Sequence, residues 1–162
     1  MVSDEEYRSI CNLLYKEARF ADNAQYDDWE SLLTDDMEYW VPINREDPNP
    51  ATQLSLLYDN RSRVSTRIRM LKTGVRHAQV PPSPMTRLIS NIEVESLNES
   101  EYKVCSAFML GELQIQSTKD LHWWIGRTEH IFRRVDETLR IARKRVDLIN
   151  SQEAVPSLAF LI

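Results

Sequence analysis

The hydrophobic pattern divides the chain into a helical front and a sheet-forming back. Ser3, with Glu6 three residues on, has the form of a capping box, in which each side chain satisfies the other's free backbone donor. Tyr7, Ile10, Leu13, Leu14 and Ala18 then recur at three and four residues, the stripe that an amphipathic helix buries. Asp22 and Asn23 punctuate this helix and can cap a second, short one. Tyr26, Trp29, Leu32 and Leu33 form its apolar face, and Asp35-Asp36 ends it. Met37 to Ile43, aromatic and β-branched with a late proline, predicts a strand near a sheet edge. Residues 44–52 are polar, hold Pro48 and Pro50, and predict a loop. A third helix follows, with Leu57, Val64, Ile68 and Leu71 on its buried face. Arg61, Arg63, Arg67, Arg69 and Lys72 mark its other side, and Gly74 supplies the stop.

After the rigid turn Pro81-Pro82-Ser83-Pro84 the period changes to two. Leu88, Ser90, Ile92 and Val94 alternate with Arg87, Ile89, Asn91 and Glu93. Asn98-Glu99-Ser100 reads as a hairpin turn, and alternation resumes over Tyr102–Ser117, Leu121–Val135 and Leu139–Ile149. These runs are long against the usual strand of about 5–6 residues, and hairpin-connected strands of such length curl strongly. Lone glycines inside them, Gly111 and Gly126, predict bends or bulges. The expected architecture is α+β: a curved antiparallel sheet wrapped by three N-terminal helices into a cone, as one domain over residues 1–162.

Composition narrows the function classes. Hydrophobic residues at 42%, charged residues at 28% and a mean hydropathy of -0.47 exclude a disordered chain, a collagen-like repeat and a membrane protein. The start, MVSDEEYRS, is acidic and lacks the apolar core of a signal peptide. A net charge of -5 gives no general electrostatic case for nucleic acid or for an anionic membrane surface. Cys11 and Cys105 match no metal or redox spacing and read as buried free thiols, so the cytoplasm is the expected compartment.

Most catalytic constellations are missing. Three glycines cannot build a nucleotide cradle, and no Gly-x-Ser-x-Gly elbow occurs. A Rieske cluster needs two cysteines and two histidines in paired motifs, and a facial iron triad needs two histidines and a carboxylate at one point. His122 and His130 share a strand face, but eight residues at about 3.3 Å each hold them too far apart for one metal. Tyr26, Asp27 and His77 are candidate acid/base groups at the mouth of a cone, the arrangement of an isomerase or dehydratase. The plainer reading of those three is a hydrogen-bonded tyrosine and two exposed polar residues. Trp29 and Trp40 read as core. Trp123 and Trp124 are adjacent on a strand and must point to opposite faces, so one leaves the inner face and suits an interface anchor. Acidic residues crowd the front, while Arg127, Arg133, Arg134, Arg140, Arg143, Lys144 and Arg145 crowd the last strands. Unlike surfaces of this kind suit heterologous contacts that close into rings.

Several segments together resemble one family. Tyr26 to Pro42 (YDDWESLLTDDMEYWVP) is similar to the second helix and first strand of the beta, or small, subunits of aromatic-ring-hydroxylating dioxygenases. Tyr58-Asp59-Asn60-Arg61, Arg67-Ile68-Arg69 and Thr73-Gly74 resemble their next helix. Pro81-Pro82-Ser83 with Arg87-Leu88-Ile89-Ser90-Asn91-Ile92, then Gly126-Arg127-Thr128-Glu129, Arg133-Arg134 and Leu139 to Lys144, resemble their later strands. The chain departs from the pattern at Met85-Thr86 and in the loop 44–52.

The resemblance implies a cystatin-like, or nuclear-transport-factor-2-like, cone. It implies a non-catalytic subunit with no catalytic residue, cofactor or metal of its own, trimeric within an α3β3 hexamer. The alpha (large) subunit partner is then expected to carry a Rieske 2Fe-2S cluster and mononuclear iron, in an oxidoreductase of aromatic hydrocarbon catabolism fed by NAD(P)H. Expected interface residues are Arg61, Arg87, Trp123, Trp124, Arg127 and Arg143. Arg61 and Arg87, as forked donors, are expected toward the large subunit, or else to tie their segment to its own sheet.

Overall fold

The computed structural model describes residues 1–44, 46, 49–51, 54–74, 81–116, 118–153 and 158–162. Helix α1 (Asp4–Asp22) begins at the expected capping box: Glu6 N donates to Ser3 Oγ at 3.2 Å, and Ser3 N donates to Glu6 Oε2 at 2.8 Å. Ile10, Leu13, Leu14 and Ala18 are buried, Tyr7 is exposed, and Glu17 is buried with the apolar stripe. Asn23 closes α1 rather than opening α2 (Tyr26–Glu30), whose N-cap is Gln25.

Strand β1 (Leu33–Pro42) starts at Leu33 rather than Met37. Asp35-Asp36 therefore lies inside a strand, exposed, where the register shifts between Leu33 and Glu38. Leu57 belongs to a strand absent from the sequence reading, β2 (Ser55–Asp59), which is too short to show its period. The third helix, α3 (Arg61–Lys72), starts only after Asn60, whose side chain accepts from Arg63 N at 2.9 Å. Gly74 follows with φ 72°, the left-handed conformation that suits glycine just past a helix end.

Strands β3 (Met85–Ser96), β4 (Glu101–Leu113), β5 (Leu121–Val135) and β6 (Thr138–Leu148) form an antiparallel meander. The six-stranded order is β2-β1-β6-β5-β4-β3. β1 pairs with β6 in parallel, so the sheet is mixed rather than wholly antiparallel. The reason is the path: after α3 the chain reaches the far edge at β3, and the meander returns until β6 lies along β1. β1 is thus interior, and β2 and β3 are the edges.

The bulges do not fall at the glycines. In β3 the register shifts between Ser90 and Glu93, with Asn91 at φ 54°. Leu88 and Ser90 face outward, whereas Ile92 and Val94 face inward, so the alternation expected across 87–94 changes phase at Asn91. Gly111 and Gly126 lie in unbroken β4–β5 register. Gly126 answers to a close approach: a Cβ there would stand 2.3 Å from the Asp147 carbonyl oxygen on β6. At Gly111 a Cβ would press only on the Trp123 ring, at 3.3 Å, with Leu121 Cδ1 in ordinary contact at 3.7 Å.

Helices cover the inner face over a core that includes Leu14, Trp29, Met37, Tyr39, Leu110, Trp124 and Phe132. Residues 159–162 (Ala-Phe-Leu-Ile), to which the sequence period assigns nothing, are buried, with Phe160 against Trp124 and Ile162 lining the interior void. Among the described residues no helix is long and apolar enough to cross a membrane. Gly126→Ala should lower stability by about 1–3 kcal/mol, because the backbone of β6 must move. Gly111→Ala should change it by less than about 0.5 kcal/mol, since only an exposed ring must turn. Urea unfolding of the two variants measures the contrast.

Candidate functional site: the cone interior and the outer sheet face

Residue 17 falls on the same helical stripe as Ile10 and Leu14, so Glu17 is carried into the core. Its Oε1 accepts from Lys144 Nζ at 2.5 Å and from Trp29 Nε1 at 3.3 Å. Lys144 on β6 and His130 on β5 are direct cross-strand partners, and His130 Nε2 stands 3.6 Å from Glu17 Oε2, within ion-pair range but beyond a hydrogen bond. Arg87, on the inward phase of β3 that the Asn91 bulge permits, donates through Nε to Asp22 Oδ1 at 2.7 Å and through Nη2 to the Leu161 carbonyl at 2.8 Å. Ser106 and Thr128 share a hydroxyl hydrogen bond of 2.7 Å beside them.

Burial alone would raise the Glu17 carboxyl. The Lys144 ammonium, with help from His130 and Arg87, outweighs burial and holds the group ionised, below the usual carboxylate range. Burial pushes the His130 imidazole below its usual 6.5, with Glu17 opposing. Burial likewise lowers the Lys144 ammonium against the pull of Glu17. Tyr39 is pushed up by burial, so its hydroxyl is a stable donor: it donates to the Ile162 carbonyl at 2.6 Å and accepts from Ile162 N at 2.8 Å.

The structure does not gather the acid/base groups suggested by sequence. Tyr26 is half-buried at the start of α2, its hydroxyl raised by burial, and Asp27 is held at the surface by Lys72 at 2.8 Å. Neither lines the interior void, and His77 lies outside the described residues. Arg61 bonds Ser65 at 2.6 Å and stands 3.6 Å from Glu30, partly open. Arg87, only 4% exposed, has its fork engaged within its own chain, so the guanidinium is not presented to a partner. Trp124, 2% exposed, packs inside and donates to Glu112 at 3.2 Å, whereas Trp123 is 51% exposed on the outer face. Arg127 is exposed on that outer face; Arg143 approaches the Trp40 ring at 5.4 Å, as Arg145 does at 4.5 Å. Sequence reasoning missed Glu17 and Lys144. Their signal was positional: one charge on an apolar helical stripe, one on the buried phase of Ala142 and Val146.

The outer face is polarised. At one end Leu88, Met109, Leu121 and Trp123 are exposed around a shallow groove, with Leu88 opposite Met109 and Met109 opposite Ile125. Toward the other end Glu93 and Glu95 lie on β3, and Arg127, Arg143 and Arg145 lie toward β6. Among the described residues no group of three or more His, Cys, Asp or Glu is placed to hold a metal ion, so the inner cluster does not fit a metal cofactor.

A curved sheet closed on its inner face by helices defines a nuclear-transport-factor-2-like cone, and solved structures agree. The beta subunit of benzoate 1,2-dioxygenase from Burkholderia mallei superposes with a TM-score of 0.77 at 22% identity, covering 99% of both chains. A scytalone dehydratase-type cone from Novosphingobium aromaticivorans gives 0.69 at 14% identity, covering 94% of this chain and 90% of that one. In sequence, the small oxygenase component of a p-cumate 2,3-dioxygenase system from Pseudomonas putida is 33% identical over 136 residues, 83% of this chain and 74% of the relative. The family model for the ring hydroxylating beta subunit matches residues 16–153, and the chain belongs to that family.

Removing one partner of the buried pair leaves the other charge stranded, so Glu17→Gln or Lys144→Met alone should cost about 3–5 kcal/mol, and the double variant less than their sum. The depressed His130 and Glu17 protonations act in one direction. The unfolded chain takes up protons first, below 6.5 at the histidine and below 4.5 at the carboxyl. The contribution of these two groups is therefore fully present above 6.5 and falls as the pH drops, and His130→Gln should flatten the upper part of that fall. Thermal midpoints from pH 7.5 to 4 test it.

Proposed function

We propose that this chain, one domain over residues 1–162, is the non-catalytic structural subunit of a multicomponent aromatic-ring-hydroxylating dioxygenase. One observation carries the reading: the inner face is filled by the chain itself, while one end of the outer face is left open and apolar. Helices and residues 158–162 leave an interior void of ≈ 10 Å³, about one water-sized sphere, which no aromatic ring can enter. Contiguous exposed apolar side chains around Trp123 instead suit burial against another chain. In this reading the alpha subunit holds the Rieske cluster and the mononuclear iron, which supply electron transfer and O2 activation there. The complex adds both atoms of O2 to an aromatic ring with electrons from NAD(P)H by way of a reductase, in cytoplasmic catabolism. The p-cumate and benzoate systems named above support an aromatic substrate class.

The same reading makes the beta chain a trimer within α3β3. The acidic side of the outer face, at Glu93 and Glu95, can meet the basic side at Arg127 of the next copy. Such a head-to-tail contact is heterologous, and rings close through it. Arg61, partly open, is assigned to the large subunit; Arg87 and Trp124, turned inward, support the surface rather than touch a partner.

A tryptophan anchor typically costs about 2–4 kcal/mol when truncated, or roughly 30- to 1,000-fold in association. Light scattering on the isolated chain should give three times the 19.0 kDa of one copy. Trp123→Asp combined with Leu88→Asp should give the single-copy mass with unchanged far-ultraviolet dichroism, and should no longer restore dioxygenase turnover to the co-expressed large subunit. A parent that is monomeric at micromolar concentration, or a variant that still trimerises, would overturn the assignment of this face.

A further inference from the structure

The hairpin between β3 and β4 carries an apolar residue on a rigid tip. Leu97 N donates to the Glu101 carbonyl at 2.9 Å, so the ladder runs up to the turn, and Leu97 is 44% exposed. It lies on the outer face, in phase with Glu93 and Glu95. The Asn98 side chain holds the turn. Its Oδ1 accepts from Ser100 N at 2.9 Å and from Glu101 N at 3.0 Å, and its Nδ2 donates to Glu101 Oε2 at 3.1 Å. Arg133 Nε braces Glu101 from β5 at 2.8 Å. A turn fixed in this way loses little freedom when another surface closes on it.

The groove at the other end of the face has the converse shape. Gly111 lies directly opposite Trp123 and adds no side chain, and the Trp123 ring leans over it. Leu88, Met109 and Leu121 flank the ring around a space of ≈ 370 Å³. Unspent charge also differs across the face. Among the described residues Glu93 and Glu95 form no ion pair, and Lys103, opposite Glu95, turns to Glu129 at 3.9 Å. Arg127 forms none either, and Asp147, opposite it, is held by Arg145 at 3.0 Å.

We infer that the Leu97 hairpin tip of one copy seats in the Trp123 groove of the next copy. This contact rests on the reading of the chain as a self-associating subunit and specifies which surfaces meet. Spacing supplies the register. Glu93 lies four residues before Leu97, and Arg127 lies four residues after Trp123, each pair on one face of its strand. At about 3.3 Å per residue both pairs span roughly 13 Å, so Leu97 meets Trp123 where Glu93 meets Arg127. Burial of the tip supplies attraction, and the charge pair fixes orientation. Tip and groove are different surfaces, so the contact is heterologous, as a closed trimer requires.

The test uses the full chain with Cys105→Ala, which removes the half-buried thiol of the outer face. Leu97→Cys, Leu121→Cys and the double variant are treated with a short bis-maleimide. Within one chain Leu97 is level with Glu101 and Arg133, so the length of β5, roughly 40 Å, separates it from Leu121 and no link can form. The single variants should stay unlinked, and the double variant should link to dimers and trimers and no further. Leu97→Asp should weaken association at least tenfold with unchanged far-ultraviolet dichroism. The inference fails if Leu97→Cys links to itself, which marks a two-fold contact, if the double variant stays unlinked, or if Leu97→Asp associates as the parent does. Should the double variant not fold, a mixture of the two single variants takes its place, with linked dimers expected and their absence overturning the contact. Light scattering separates this inference from the reading beneath it. A trimer without links overturns the contact and leaves the trimer standing, whereas a monomeric parent overturns both.

Discussion

The buried pair between Glu17 and Lys144 fixes where the first helix lies on the sheet. Two charges have left water, and the attraction between them does little more than offset that loss. An apolar pair of the same volume would hold α1 and β6 together about as well. What the ions add is discrimination: sliding α1 by one turn, or slipping β6 by one residue, would bury two charges without counter-charges. Trp29 and His130 are oriented around the same carboxylate, so α2 and β5 inherit the constraint. Arg87 and Asp22 repeat the device between α1 and β3, at the far edge of the sheet. Helix and sheet are therefore registered at two points, and the interior between them has a defined shape.

That shape decides what the space under the sheet contains. Enclosed space under a curved sheet is where a cone fold can place acid and base groups. Here it contains matched ions, an aromatic wall and a stretch of the chain's own backbone. The groups that titrate unusually are engaged with one another rather than aimed at a substrate. Perturbed protonation marks functional sites only on average, since ion networks perturb it equally. The outer face differs: it carries an exposed tryptophan and separated acidic and basic sides.

Much of the fold was legible because long strands and one long helix repeat their period many times. β5 was read at its true limits, Leu121 to Val135, and α1 from its capping box. Short elements were not legible: β2 offers five residues, and its Leu57 merged with the helix that follows. Direction was hidden as well, because the parallel pairing of β1 with β6 depends on the path of the intervening chain, not on either segment. Site residues followed the same rule. The opposite fates of Trp123 and Trp124 follow from adjacency on a strand, whereas the inward turn of Arg87 is hidden by the extra residue at Asn91, which puts the residues before it out of phase with Ile92 and Val94. The roles of Glu17 and Lys144 required knowing that two segments distant in sequence meet.

The Asn91 bulge has a consequence for the open border of the sheet. β3 is a twelve-residue border strand, the kind of long open ladder on which foreign strands nucleate and aggregates grow. A single left-handed residue near its middle breaks that ladder into two short runs out of phase with each other, and exposed Glu93 and Glu95 add like charge beyond the break. An incoming strand finds no continuous template. Growth by strand addition is thereby blocked at one border, while the opposite border, β2, is only five residues long.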